Sequence, residues 1–149
     1  MRALMELGAH VKKAADDGWT PLNIAAEKGH EMVVQALMEL GVDVNKAVDD
    51  GATPLLVAVH RGHEMVVRAL MELGADVNKT KDNGVTPLYI AAERGHEAVV
   101  RALIEAGADV NKATDDGVTP LSIAAQNGYT AIVQILRDAE LVPMMHLSL

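Results

Sequence analysis

The chain has 149 residues, half of them hydrophobic, and a formal net charge of −8 at pH 7. This length is enough for one domain with a sizeable core, and the absence of cysteine excludes disulfides and cysteine-based zinc sites. The negative charge disfavours nucleic acids, whose phosphates repel an acidic surface, and favours basic or mixed-surface protein partners. With one Trp, two Tyr and no Phe, the core must be built from Ala, Val, Leu and Met, which suits closely spaced helices.

The N-terminal sequence MRALMELGAH lacks the long apolar segment of a signal peptide. No apolar run elsewhere approaches the length of a membrane span. We therefore expect an intracellular protein, most simply a cytoplasmic one, that has no membrane partner.

One sequence pattern recurs every 33 residues along the chain. Its tripeptide Thr-Pro-Leu begins at Thr20, Thr53, Thr86 and Thr119. A fixed period of this size is typical of a solenoid, in which each unit packs only on its neighbours. The predicted boundaries are a partial repeat at 1–15, full repeats at 16–48, 49–81 and 82–114, a C-terminal capping repeat at 115–139 and a tail at 140–149.

Each repeat predicts two helices, which can be followed in the first full copy. Thr20 is a good N-cap, and Pro21 suits the first helical position because its missing N–H costs nothing there. Gly29 ends this short helix. A second helix with an apolar stripe is predicted over residues 31–40. Residues 42–50 then predict a β-turn or hairpin-like finger that ends in turn-forming aspartates.

The last repeat departs from the others near its end. Glu140 stands where the earlier copies carry glycine, and Pro143 stands where Val110 would be expected. We therefore expect the fourth finger to be absent. The tail 141–149 is open to three interpretations: a cap folded back over the last helix pair, a disordered remnant, or an apolar docking peptide. We favour the cap, because terminal repeats must cover apolar surface.

The repeated pattern D-x-G-x-T-P-L-x-x-A-A-x-x-G-H-x-x-x-V-x-x-L-x-x-x-G-A-D-V-N resembles the ankyrin repeat. The resemblance implies an all-α solenoid of stacked helix–turn–helix units with projecting β-turns, whose concave face binds other proteins and which is not usually catalytic. Members of the family commonly carry histidine after Thr-Pro-Leu, where it bonds across repeats. This sequence has Asn23, Leu56, Tyr89 and Ser122 there, so we expect the interaction to be lost in at least two units.

Differences among the copies cluster at the turn tips and first helices. The resemblance places these positions on the binding face, and it implies the partner-binding residues Trp19, Asn23, Lys28, Ala52, Leu56, His60, Arg61, Val85, Tyr89, Glu93, Arg94, Ser122 and Gln126. A lone Trp19 on a polar turn suits an interface anchor, although it could equally lie flat on its own turn. Leu56 could replace the usual histidine structurally, which we favour, and Tyr89 fits either interpretation.

Catalytic and metal sites are not predicted. His-Glu pairs begin like a zinc-protease helix at His30, His63 and His96, but valine occupies the position of the second ligand each time. These histidines resemble the structural Gly-His of the family. The sequence has no Gly-rich phosphate loop and no Gly-x-Ser-x-Gly elbow, so we expect no cofactor. The recurring turn aspartates are explained by turn chemistry, with an acidic field as a by-product.

These observations favour a non-enzymatic, monomeric module that binds a protein partner. A structural spacer or self-assembling solenoid is the alternative from another class, because the half-repeat at Met1 leaves apolar surface that a second chain could cover. Near-identical middle repeats also fit an engineered binding scaffold, whereas the truncated first repeat and irregular tail favour a natural fragment.

Overall fold

The structure is a computed structural model that describes the backbone of residues 19–147 and the side chains of residues 19–140. The predicted partial repeat at 1–15 lies outside the described residues. Within the described part the chain forms eight α-helices and no strand, so the all-α prediction is confirmed. The helices are α1 Pro21–Lys28, α2 Glu31–Glu39, α3 Pro54–Arg61, α4 Glu64–Glu72, α5 Pro87–Arg94, α6 Glu97–Glu105, α7 Pro120–Gln126 and α8 Thr130–Leu147.

The chain divides into two compact units, unit 1 at residues 1–76 and unit 2 at residues 77–149. Each unit contains two consecutive helix pairs of the described chain. In unit 1, α1 packs on α2 and α3, while α4 packs on α2 and α3. In unit 2, α5 packs on α6 and α7, while α8 packs on α6 and α7. Each unit is therefore a pair of helix–turn–helix repeats whose first helices pack together and whose second helices do the same.

The first helix of every described repeat begins with the predicted cap. Thr20 Oγ1 accepts a hydrogen bond from the backbone N–H of Asn23 at 3.2 Å, which satisfies a donor that has no partner inside the helix. The same bond forms in the other three repeats, from Leu56 to Thr53, Tyr89 to Thr86 and Ser122 to Thr119. In α1 the helix ends at Gly29, whose φ of 75° is a left-handed conformation that glycine adopts without strain.

The second helices also contribute to the core. α2 ends at Glu39, one residue earlier than predicted, and Gly41 follows with its N–H donating to Met38 O at 3.1 Å. Val34 and Leu37 on this helix are completely buried, as are Val67 and Leu70 one repeat later. The predicted stripe therefore packs through Val34 and Leu37, whereas its member Val33 is 41% exposed.

Each finger is a short backbone-bonded turn. In the first, Val48 N–H donates to Ala52 O at 2.8 Å, and Gly51 N–H donates to Val48 O at 2.9 Å. The fingers at 81–85 and 114–118 close with the same two bonds. The predicted hairpin-like finger is therefore present in each repeat where the described residues include one.

The C-terminal helix α8 is 18 residues long and continues through Pro143 to Leu147. No fourth finger interrupts the described residues of this repeat, as the departures at Glu140 and Pro143 predict. The expected fold-back of the tail is not seen, because residues 141–147 prolong α8 instead of turning back over it. The side chains of this segment lie outside the described residues.

Candidate partner-binding surface

In unit 1 the predicted contact residues divide into exposed and buried groups. Lys28, His60 and Arg61 are exposed, and Trp19 is partly exposed. The other three are buried, with exposed fractions of 0% for Asn23, 8% for Ala52 and 1% for Leu56. A buried side chain has no surface to offer a partner, so Asn23, Ala52 and Leu56 do not suit direct contact.

Burial explains what the residue after Thr-Pro-Leu does in unit 1. Leu56 fills a closed position in α3, which supports the interpretation that it replaces the family's histidine structurally. Asn23 occupies the same position in α1, and neither its side-chain oxygen nor its nitrogen has a hydrogen-bond partner in the described chain. The variation of this position between repeats led to the prediction that Asn23 and Leu56 contact a partner. The family's histidine at the same position bonds across repeats, which is consistent with the burial observed.

The charged side chains of unit 1 include one pair that joins its two first helices. The Arg61 guanidinium on α3 lies 3.4 Å from the Glu27 carboxylate on α1. Both groups are substantially exposed, so this pair contributes little to stability, on the order of a few tenths of a kcal/mol. The pair matters here because Arg61 and Glu27 each have a partner of opposite charge within the protein.

The Gly-His motif has the structural role that its resemblance implies. His63 Nε2 lies 2.8 Å from the backbone oxygen of Glu27, which belongs to the preceding repeat. A Cβ added to Gly29 would lie 2.8 Å from the His63 ring, so only glycine admits this close approach. His63 thus fastens α3–α4 to the end of α1.

The turn aspartates and the finger asparagines also do structural work. Asp50 Oδ1 accepts from Ala52 N at 3.0 Å within its own turn, which is the turn chemistry expected from the sequence. Asn45 Oδ1 accepts from Asp76 N at 2.8 Å, and Asn78 Oδ1 accepts from Asp109 N at 2.8 Å. Each of these asparagines therefore ties its finger to the following repeat.

In unit 2 every predicted contact residue has an accessible side chain. Arg94, Ser122 and Gln126 are exposed, while Val85, Tyr89 and Glu93 are partly exposed on or beside α5. Unit 2 therefore presents an aromatic residue among polar ones at the position that is closed in unit 1.

Tyr89 lies near two carboxylates. Its pKa is raised above the usual 10.0, first by burial and then by the negative charges of Glu93 and Asp116. Glu93 follows Tyr89 by four residues on α5, so the two side chains are neighbours on one face. Asp116 comes from the finger at 114–118, which is bonded to the finger before α5 through Asp115 N–H and Asn83 O at 3.2 Å.

Asp116 was not among the predicted contact residues, and neither was Asn127. Asn127 Nδ2 donates to Glu93 O at 3.0 Å, the backbone oxygen that corresponds to the one His63 meets in unit 1. Tyr129 stands in the histidine position, and its ring lies against Gly95 as the His63 ring lies against Gly29. In the last repeat, two residues therefore replace one histidine: Asn127 makes the hydrogen bond and Tyr129 makes the ring contact. This replacement becomes visible only when the repeats are compared in the structure.

Within the described residues, no group of three or more His, Cys, Asp or Glu side chains is placed to hold a metal ion. In the same part of the chain, no helix combines the length and the apolar character needed to cross a lipid bilayer.

Paired helices repeated at a fixed period, with glycine-tipped fingers between them, define a helical repeat protein. The family model described as ankyrin repeats (3 copies) matches residues 1–81 and 74–143, and the chain belongs to the ankyrin repeat family. A comparison with curated proteins gave no match. Ankyrin repeats are generally protein–protein interaction modules and are typically not enzymes.

Proposed function

We propose that this protein is a non-enzymatic module that binds a protein partner through the finger tips and first helices of its repeats. One observation carries the proposal: the six predicted contact residues of unit 2, which differ between the repeats, all have accessible side chains, while Thr-Pro-Leu recurs unchanged in every repeat. Exposed residues without a structural task are free to be selected for contact with a partner.

The proposed contact set follows from exposure. It consists of the accessible predicted residues Trp19, Lys28, His60, Arg61, Val85, Tyr89, Glu93, Arg94, Ser122 and Gln126. Asn23, Ala52 and Leu56 are left out because they are buried. The net charge of −8 favours a partner with a basic or mixed surface. A monomeric state and an intracellular location remain predictions from the sequence.

A pull-down with two matched variants tests this proposal. The surface variant carries Lys28→Ala, Tyr89→Leu and Gln126→Ala on first helices, and the control carries Gln35→Ala, Met65→Ala and Gln134→Ala on second helices. Circular dichroism first checks that both remain folded. We expect a protein retained by the parent and the control to be lost by the surface variant. Loss by the control together with retention by the surface variant would move the binding surface to the second helices.

A self-associating spacer is the second candidate, and one observation favours it. Met32 and Met65 occupy equivalent positions on the adjacent helices α2 and α4, with 77% and 58% of their surfaces exposed. A shallow groove of about 300 Å³ lies between the same helices and is lined in part by Met38 and Leu73. A light-scattering mass that rises with concentration in the parent, but not after Met32→Glu and Met65→Glu, would favour this candidate. A constant monomer mass would remove it.

A further inference from the structure

We propose that unit 2 binds an arginine side chain of its protein partner, held over the Tyr89 ring by the carboxylates of Glu93 and Asp116. The inference rests on the proposed function, and it names the chemistry that one part of the proposed surface recognises.

Unit 1 shows what the equivalent carboxylate binds. Glu27 is the counterpart of Glu93, and it pairs at 3.4 Å with the guanidinium of Arg61, 34 residues further along. In unit 2 the residue 34 positions after Glu93 is Asn127. Asn127 carries no charge, and its amide donates to the backbone oxygen of Glu93 instead of to the carboxylate. The repeat in unit 2 therefore keeps the acid and lacks the arginine.

Among the described residues, Glu93 has no other cationic partner. In the described chain, no ion pair involves Glu93 or Asp116. Arg94 is adjacent to Glu93 in sequence, and successive residues on a helix do not face each other. Two accessible carboxylates without a counter-charge form a surface whose complement is a cation supplied from outside.

Tyr89 makes arginine the better fit than a smaller cation. Its ring is partly exposed, and the corresponding position in unit 1 is the buried Asn23. A guanidinium is planar and weakly hydrated, so it stacks on an aromatic face while its N–H groups reach carboxylates at its edge. The raised pKa of Tyr89 agrees with this arrangement, because the field of both acids reaches the phenol.

The probe is a capped peptide, acetyl-Gly-Ser-Arg-Ser-Gly-amide, titrated into isotope-labelled protein and followed by NMR. The matched probe replaces arginine with citrulline, which has nearly the same shape and no charge. We expect the arginine peptide to shift amides of α5 and of residues 114–118, and to bind about three- to tenfold more tightly than the citrulline peptide. Equal affinity for both peptides, or shifts that fall elsewhere, would overturn the proposal.

Three variants distinguish binding at a specific subsite from attraction by the net negative charge of the protein. Glu93→Gln is expected to remove most of the preference for arginine. Glu27→Gln is the matched control, and it should leave the preference unchanged because Glu27 is already paired with Arg61. Asn127→Arg gives unit 2 the arginine that unit 1 has, and we expect it to exclude the probe from Glu93. Equal losses in Glu93→Gln and Glu27→Gln would mean that only the net charge attracts the peptide, which would refute a subsite.

The peptide titration and the pull-down fail independently. If a partner depends on the first-helix surface but is retained by Glu93→Gln, and the arginine peptide shows no preference, the proposed function stands and the arginine subsite falls. If the peptide binds as expected and no partner depends on that surface, the subsite stands as a local property and the proposed function falls.

Discussion

At the scale of single residues, the position after Thr-Pro-Leu has a different environment in each repeat. Asn23 and Leu56 are buried, Tyr89 is partly exposed and Ser122 is exposed. The residue types follow these environments except for Asn23, whose amide is enclosed without a hydrogen-bond partner in the described chain. A buried amide of this kind is destabilising by about 1–3 kcal/mol.

We therefore expect Asn23→Leu to stabilise the protein, since the same chain buries leucine at the equivalent position 56. The expected gain is about 1 kcal/mol in the free energy of unfolding, part of the relief being offset by fitting a branched side chain. Urea denaturation followed by circular dichroism measures it. Ser122→Leu is the control at the exposed equivalent and should change stability by less than about 0.5 kcal/mol. A loss of stability in Asn23→Leu would contradict this expectation.

Tyr89 predicts a pH dependence at the alkaline end. Its pKa is raised in the folded protein, so the folded state holds the phenol proton more tightly than the unfolded chain does. The contribution of Tyr89 to the free energy of unfolding is fully present below the usual pKa of 10.0, and it is lost as the pH rises through the folded pKa. We expect the fall in unfolding free energy above that pH to be shallower in Tyr89→Phe than in the parent. Identical pH profiles for the two proteins would contradict this assignment.

At the scale of elements, the helix pairs of unit 1 are joined where a glycine meets a histidine. Gly29 ends α1 with φ 75°, and a Cβ there would also strike the His63 ring. Gly41 follows the end of α2 with φ 81°, and nothing lies within 4 Å of a Cβ added to it. The two glycines therefore share a backbone requirement and differ in packing.

This pair separates the cost of backbone strain from the cost of the clash. Gly41→Ala should lose about 1–2 kcal/mol, the penalty of a left-handed conformation for an L-residue. Gly29→Ala should lose more, because the His63 ring must also move and its 2.8 Å bond to Glu27 O weakens. Chemical denaturation of both variants measures the difference. The excess loss should shrink when Gly29→Ala is combined with His63→Ala, and an excess that persists would place the clash elsewhere.

At the scale of the whole molecule, charge governs how the surface meets a partner. The net charge of −8 attracts cations generally, and this attraction is screened by salt. A local aromatic contact is less sensitive to salt than long-range attraction is.

We expect the arginine peptide to bind less tightly as salt rises from about 0.02 M to about 0.5 M, while the citrulline peptide changes little. Some preference for arginine should survive at high salt because the ring contact with Tyr89 does not depend on the distant charges. NMR titrations at the two salt concentrations measure both effects. A preference that disappears completely at high salt would assign it to the net charge and not to the Tyr89 surface.

Much of the fold could be predicted from residues that act locally. Thr20 starts a helix because its side chain accepts a hydrogen bond from a free backbone N–H, and Pro21 suits the first position because it has no N–H that needs a partner. Gly29 ends the helix by adopting a left-handed conformation that other residues resist. These effects involve neighbours in sequence, so the helix bounds in the first repeat agree with prediction to within one residue. The period predicts a solenoid, the resemblance of the repeated motif implies the ankyrin architecture, and the family match confirms it.

The candidate surface could be predicted only in part, since exposure depends on residues that packing brings together. The sequence placed Asn23, Leu56 and Tyr89 together among the contact residues, although it favoured a structural role for Leu56 and left Tyr89 open. The tertiary structure shows that Asn23 and Leu56 are buried and that Tyr89 is accessible. The placing of Asp116 near Tyr89, and the absence of an arginine for Glu93, likewise arise between repeats. The sequence by itself determined the repeat, its caps and its family, because those depend on local backbone chemistry. The tertiary structure decided which side chains remain available to a partner, because burial and charge pairing depend on contacts between distant residues.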